Sequence, residues 1–366
     1  MRKTFTLTAS ILLSACLEPQ PKPDLETRPV SDFTMDVLAN SLESPWSVAQ
    51  IGRDYLVTEK DGKLLRISGE SELEITGLPG DIFVSGQGGL LEVAAAPDFD
   101  QTNEIYLSYA YGNSDANGTA LLSARLKGNT LENPTVIFCA SPPKAAASHF
   151  GGRIVFLPDN TLALTLGDGF AYREEAQNVN SHLGKIVRLN RDGGTPSDNP
   201  KLEGKPQIYS YGHRNVQGLA YDMQTGELWE HEHGPRGGDE LNLIKAGQNY
   251  GWPIATTGLD YNGAKISPFE DYEGMVAPVH DWVPSIAPSG LAIYRGDMFP
   301  EWNGDALVGG LVSRDIRLID LENGKAMGEV SILSDLDERV RDVRIDSDGA
   351  ILVLTDDPEN GKLLRV

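Results

Sequence analysis

What most limits the fold of this chain is a unit that keeps returning: a short aliphatic or β-branched run, a polar turn with glycine or asparagine, and a second such run. Tyr55-Leu56-Val57-Thr58, Asp61-Gly62 and Leu64-Leu65-Arg66-Ile67 form one example. Ile154-Val155-Phe156-Leu157, Asp159-Asn160 and Leu162-Ala163-Leu164 form another, and the pattern returns around Gly226, Gly304 and Gly349. Such units read as hairpins, because glycine and asparagine accept the left-handed backbone that a tight turn needs. With 39 glycines and 22 prolines between short apolar runs, the chain favours strands and turns over helices. The turns recur at irregular intervals that allow one four-stranded sheet each plus insertions, which suits a propeller rather than a solenoid of fixed period. Gly62-Lys63-Leu64-Leu65-Arg66 is echoed by Gly361-Lys362-Leu363-Leu364-Arg365, and matching strands at the two ends of a domain suit a ring that closes on itself. The competing architecture is an antiparallel sandwich, which rarely holds so many strands.

The first residues read as a processing segment. Arg2 and Lys3 precede an apolar stretch from Phe5 to Leu13 that is too short to span a bilayer as a mature helix, so residues 1–15 are expected to be a signal peptide. Leu13-Ser14-Ala15-Cys16 resembles a bacterial lipobox, which implies lipidation at Cys16; an ordinary cleavable signal with an incidental cysteine is the alternative. Residues 16–32, with Pro19, Pro21, Pro23 and Pro29, read as an extended tether. Leu17 after the cysteine resembles an outer-membrane sorting context, so the expected location is periplasmic and lipid-anchored. From Phe33 onward there is no second linker and no long amphipathic helix, and residues 33–366 read as one domain. Cys139 is then the one cysteine of the body, expected to be a buried, inert strand residue, and no intrachain disulfide is available. A net charge of −22 argues against nucleic acid and against an anionic membrane surface as electrostatic partners.

The stretch from Gln207 to Pro253 packs polar, aromatic and glycine residues where a plain core would be apolar, so it reads as a site. Gly212-His213-Arg214-Asn215, with Gln217 close behind, puts a guanidinium fork and two amides in one loop, a set suited to a planar, anionic, carbonyl-rich ligand. Gly234-Pro235 and Asp239-Glu240 offer the oxygen ligands that calcium takes. Within Glu230-His231-Glu232-His233, strand alternation puts both histidines on one face and both glutamates on the other. A solvated or pore-lining strand is therefore expected there rather than zinc.

Taken in order along the chain, these motifs resemble the soluble quinoprotein glucose dehydrogenases and, in their compact loops, the aldose sugar dehydrogenases that use pyrroloquinoline quinone. The resemblance implies an all-β fold, a six-bladed β-propeller with four-stranded antiparallel blades. It implies that Gln87 of Gly86-Gln87-Gly88-Gly89-Leu90-Leu91 touches the quinone, and that His149 of Ser148-His149-Phe150-Gly151-Gly152-Arg153 is the catalytic base. Asp168 of Leu166-Gly167-Asp168 is then the residue that orients His149, and Arg214, Asn215 and Gln217 face cofactor or substrate. Gly234 and Pro235 correspond to the carbonyls that hold the cofactor's calcium, with Glu240 and Tyr250 at a second calcium site. Arg339 and Arg341 correspond to the cofactor's carboxylate ligands, and Trp282, ahead of Ala287-Pro288-Ser289, to an aromatic near cofactor or substrate. Trp252 reads as packing.

Two departures stand out: Gly310-Leu311-Val312-Ser313-Arg314 has no lysine where the family has a cofactor-binding one, leaving only the displaced Arg314, and Ser148 replaces an aspartate found in some members. A neutral imidazole oriented by a carboxylate can take the proton of an anomeric hydroxyl, while Arg214 steadies the developing oxyanion. The expected reaction is oxidation of an aldose at C1 to a lactone, with a cytochrome or a quinone as electron acceptor. Two other readings stay open: a calcium-dependent lactonase or esterase on a similar propeller, and a non-catalytic binding module.

Overall fold

The computed structural model describes residues 33–366. The expected signal segment, Cys16 and the tether lie outside the described residues. Within 33–366, the strands form six antiparallel sheets of four, the all-β propeller that the sequence points to. Blades one to five follow one another along the chain, spanning 45–74, 90–139, 154–211, 216–282 and 288–332. The sixth combines the three last strands, 340–365, with Asp36–Leu42 from the opposite end.

The recurring turns behave as their composition demands. Gly62, Gly226, Gly304 and Gly349 all have φ between 76° and 101°, and Asn160 has φ 65°. An L-residue with a full side chain resists that region, so these positions fix where each hairpin reverses. The two echoed segments occupy equivalent places, each lying on the third strand counted from the axis, in blades one and six. Those blades are neighbours across the closure.

The innermost strands are Pro45–Ile51, Leu90–Ala95, Ile154–Phe156, Val216–Asp222, Pro288–Ile293 and Val340–Ile345. Each packs beside the next, and the last beside the first, so the ring is complete. The core lies between blades rather than at the axis. Leu56, Leu64, Leu107 and Leu122 fill the gap between blades one and two, and Leu307, Ile316, Val343 and Val353 that between five and six. Each fully buried leucine or valine of this kind stabilises the fold by about 1.5–3 kcal/mol. Cys139 does lie on a strand, Thr130–Cys139, but this is the outer edge of blade two and the residue is exposed, not buried.

Candidate active site

Around the axis, the start of every inner strand contributes to one cavity of about 290 Å³. Trp46 comes from blade one, Gln87 and Leu91 from the second, Phe150 and Gly151 from the third, Asn215 and Gln217 from the fourth. Ala287 precedes the inner strand of blade five, and Arg339 and Arg341 flank the start of that of blade six. A neighbouring cavity of about 340 Å³ is lined by Phe170, Arg214, Pro235, Trp252 and Tyr261. His149 lines neither directly. Its hydrogen-bond partner Gln87 and its chain neighbour Phe150 line the central cavity, and Phe170, edge-on to its ring at 5.2 Å, lines the other.

His149 is held in unfavourable backbone. Its φ is 53°, its N–H donates to Gln87 Oε1 at 2.7 Å, and a Cβ on Gly167 would meet its carbonyl oxygen at 2.3 Å. A non-glycine residue kept in that region by its surroundings is typical of sites where geometry matters more than local stability. Its Nδ1 lies 2.6 Å from Asp168 Oδ1. The same Asp168 oxygen accepts the Phe170 N–H at 2.7 Å, and Oδ2 accepts the Trp252 indole N–H at 2.8 Å. Asp168 is therefore fixed from three sides and fixes the imidazole in turn. Burial pulls the His149 pKa below its ordinary value, against an upward pull from Asp168. The ring is thus neutral at neutral pH. Lys144, itself buried and lowered to about 7 by that burial, lies 3.5 Å from the Phe150 ring centre beside this pair.

The Gly212–Gln217 loop is divided between the two cavities. Asn215 and Gln217 line the central one, whereas the Arg214 guanidinium donates to the carbonyls of His233 at 2.9 Å and Gly234 at 2.7 Å and reaches the Tyr261 hydroxyl at 3.2 Å. Arg339, just before the inner strand of blade six, and Arg341, within it, both bond Asp356, the residue after the following strand. Arg314 points elsewhere, its guanidinium 3.3 Å from Asp337, so it leaves the cavity without a cation on that wall. Trp282 is not brought to either cavity. It sits on the outermost strand of blade four, buried between blades, with its indole N–H donated to Glu329 at 2.7 Å.

Residues that the motifs passed over complete the lining. Trp46 presents its ring to the central cavity with the Arg153 guanidinium 4.1 Å from its centre, and Lys60 and His233 line the same space. Trp252, read as packing, anchors Asp168 and lies 5.3 Å from the Arg214 guanidinium. The available signal was its place in Asn249-Tyr250-Gly251-Trp252, inside the densest polar stretch.

The donor sets for a metal differ at the two expected places. At Gly234-Pro235 the chain offers main-chain carbonyls, one of which already accepts from Arg214. Two carbonyls make only part of a calcium shell, so this place fits calcium together with oxygens of a bound ligand. Around Glu240 the set is richer. The Tyr250 hydroxyl is spent, donating to the Leu243 carbonyl and accepting from the Lys245 N–H, both at 2.8 Å, and its ring stacks on His213. Glu230 and Glu232, however, turn inward with His213, their ligand atoms all within 4.8 Å of one another and all three buried. Cross-strand partners of those glutamates are Asn242 and Glu240. His213 Nδ1, Glu230 Oε2 and Asn242 Oδ1 have no hydrogen-bond partner there. Burial and mutual repulsion raise the pKa values of Glu230 and Glu240 well above the carboxylate range, and burial raises that of Glu232. Asn242 Nδ2 donates to Glu230 and Glu240, and the Arg214 and Asn215 N–H groups donate to Glu232, but neutral donors do not balance three buried carboxylates, and the orphaned atoms among them fit a cation. The Glu230–His233 run is thus not solvated, and of its four residues only His233 lines the central cavity, as a pore-lining strand would. Glu230 and His231 are fully buried, and His231 and His233 bond the carbonyls of Gly290 and Pro288.

Comparison with known proteins gives this geometry a context. Residues 42–365 match the family model described as glucose/sorbosone dehydrogenase. A protein of Escherichia coli named aldose sugar dehydrogenase YliI is 37% identical over 377 residues, covering 100% of this chain and 98% of that protein. A solved structure described as a glucose dehydrogenase superposes with a TM-score of 0.88 at 40% identity, over 91% of this chain and 99% of that one. The PQQ-bound form of an aldose sugar dehydrogenase from Streptomyces coelicolor superposes with a TM-score of 0.74 at 29% identity, over 92% and 99%.

Proposed function

The chain belongs to the glucose/sorbosone dehydrogenase family and is an oxidoreductase, and from that premise we propose that it oxidises the C1 hydroxyl of aldose sugars to lactones, with pyrroloquinoline quinone and calcium bound. The observation that carries this reading is the buried His149–Asp168 pair, held at strained backbone beside a cavity lined with amides and cations. The named activities of the E. coli relative and the quinone held by the Streptomyces one support the substrate class and the cofactor. When bound, the quinone supplies the two-electron acceptor for the hydride leaving C1, and calcium supplies polarisation of its carbonyl.

This chain's residues supply the rest. With Nδ1 committed to Asp168, the proton of the C1 hydroxyl goes to His149 Nε2. Asp168 fixes that tautomer and steadies the imidazolium, and the Trp252 indole N–H and the Phe170 N–H hold Asp168 in place. Gln87, Asn215 and Gln217 would hold the planar ring system, Arg339 and Arg341 its carboxylates, and the Gly234 and Pro235 carbonyls the calcium. Arg214, buttressing Gly234 and Tyr261, would orient the sugar side. A second cation would occupy the cluster of His213, Glu230, Glu232 and Glu240. A lactonase would bring several carboxylates to the axis, whereas no aspartate or glutamate lines the central cavity among the described residues. The signal segment and lipidated Cys16 belong to the same reading: an anchored periplasmic enzyme at the outer membrane, passing electrons to a cytochrome or a quinone. Replacing Cys16 by serine and following membrane partitioning tests the anchor.

The deciding experiment is dye-linked oxidation of glucose and other aldoses by the purified protein, with and without the quinone and calcium. Activity should require the quinone and fall about 10²–10⁴-fold in His149→Ala, the range of a lost general base. Lactone hydrolysis that ignores the quinone, or wild-type turnover in His149→Ala, would overturn the reading.

A further inference from the structure

Lys60 lies one residue past the strand Asp54–Glu59 and lines the central cavity with Gln87. Its backbone is pinned at both ends. Its N–H donates to the Ser44 carbonyl at 3.0 Å and its carbonyl accepts the Leu90 N–H at 3.2 Å. Nζ donates to the Gly86 carbonyl at 3.2 Å, which keeps the ammonium at the turn that presents Gln87.

The charges of the cavity give this position its meaning. Lys60, Arg339 and Arg341 are its cationic lining, and no carboxylate lines it among the described residues. Both arginines share Asp356, so the pair carries about one net charge between them. Lys60 has no carboxylate partner among the described residues, and one carbonyl satisfies only one of its three donors. Half of the cavity's net positive charge therefore rests on this ammonium, inside a molecule whose net charge is −22. An ammonium at the wall of a concave cavity, with two donors free of protein partners among the described residues, gains a charge-assisted hydrogen bond from a bound anion.

We propose that Lys60 is a direct ligand of a carboxylate of the planar, polyanionic cofactor, the third cation of a cradle completed by Arg339 and Arg341. The proposal rests on the quinone reading above. A lysine serving only as a brace for the Gly86 turn would make the same 3.2 Å contact, so the test must separate charge from support.

Calorimetric titration of the purified full-length protein with pyrroloquinoline quinone, in calcium buffer at two salt concentrations, separates them. Lys60→Gln removes the charge but keeps a donor, and Lys60→Arg keeps the charge. Affinity should fall about tenfold in Lys60→Gln, as expected for one charge-assisted contact, with a shallower salt dependence. Lys60→Arg should stay within about threefold of wild type. Unchanged binding by Lys60→Gln would overturn the proposal while leaving the quinone reading intact. Equal weakening in both variants with a lowered melting temperature would assign Lys60 to bracing and overturn it too. No binding by the wild type would overturn the quinone reading itself, and this proposal with it.

Discussion

His149 and Asp168 show burial and a carboxylate pulling an imidazole's pKa in opposite directions while the carboxylate holds the ring in place. Burial lowers the His149 pKa and Asp168 raises it, with burial the larger influence. A base works above its folded pKa, so activity should persist through neutral pH and fall only as pH drops below the ordinary histidine value of about 6.5. Asp168→Asn removes the upward influence, so the acid limb of the kcat/KM profile should move to lower pH. Its plateau should nevertheless drop by about 10²–10⁴, because Nδ1–H is no longer held by a carboxylate and the tautomer is lost. A pH–rate profile reads both; a limb moving to higher pH, or an unchanged plateau, would remove Asp168 from this role. The gathering of His149, Asp168, Gln87, Arg339 and Arg341 about the axis was legible only through the family resemblance that their short motifs carry. Trp282 and Trp46 were not. Which of two tryptophans meets the axis depends on strand order within a blade, and Trp282 lies on an outermost strand while Trp46 lies on an innermost one.

Among elements, the Gly86–Leu91 turn joins blade two to the end of a hairpin in blade one. Gly89 has φ 146°, and a Cβ there would lie 1.8 Å from the Lys60 carbonyl oxygen. Gly89→Ala should cost about 2–4 kcal/mol, since backbone must move to relieve the overlap. Gly69→Ala, at φ 57° with open space around it, should cost only about 1 kcal/mol. Urea unfolding of the two variants checks the ranking, and equal costs would show that the turn yields easily. Hairpin positions were legible because the turn residues carry their own conformational reason. The environment of Glu230–His233 was not, because polar residues on a strand ordinarily mean water. Here the two glutamates lie beside Asn242 and Glu240 on the neighbouring strand, the two histidines bond the Gly290 and Pro288 carbonyls, and the stack of Tyr250 on His213 helps close the cluster off.

Taken whole, the molecule encloses an acidic cluster that needs either a cation or protons. Carboxylates whose folded pKa values are raised take up protons on folding, so without a cation their contribution is most favourable at low pH and is lost as pH rises through those raised values. Chelation with EGTA should therefore lower the melting temperature more at pH 8 than at pH 6, and Glu230→Gln should shrink the difference. Identical melting curves under all four conditions would rule out a bound cation there. Ring architecture was legible in the repeated turns and in the echo of Gly62–Arg66 by Gly361–Arg365, whereas the number of blades came only with the family resemblance. The closure itself has a consequence in time. Asp36 pairs with Arg365 and Leu42 with Gly361, so the outer strand of the last blade is made before every other described strand and meets its partner last. Until the final residues emerge, Asp36–Leu42 has no strand to pair with and Ile351–Thr355 lacks its outer neighbour, and a copy truncated before Gly361 leaves both unpaired for good.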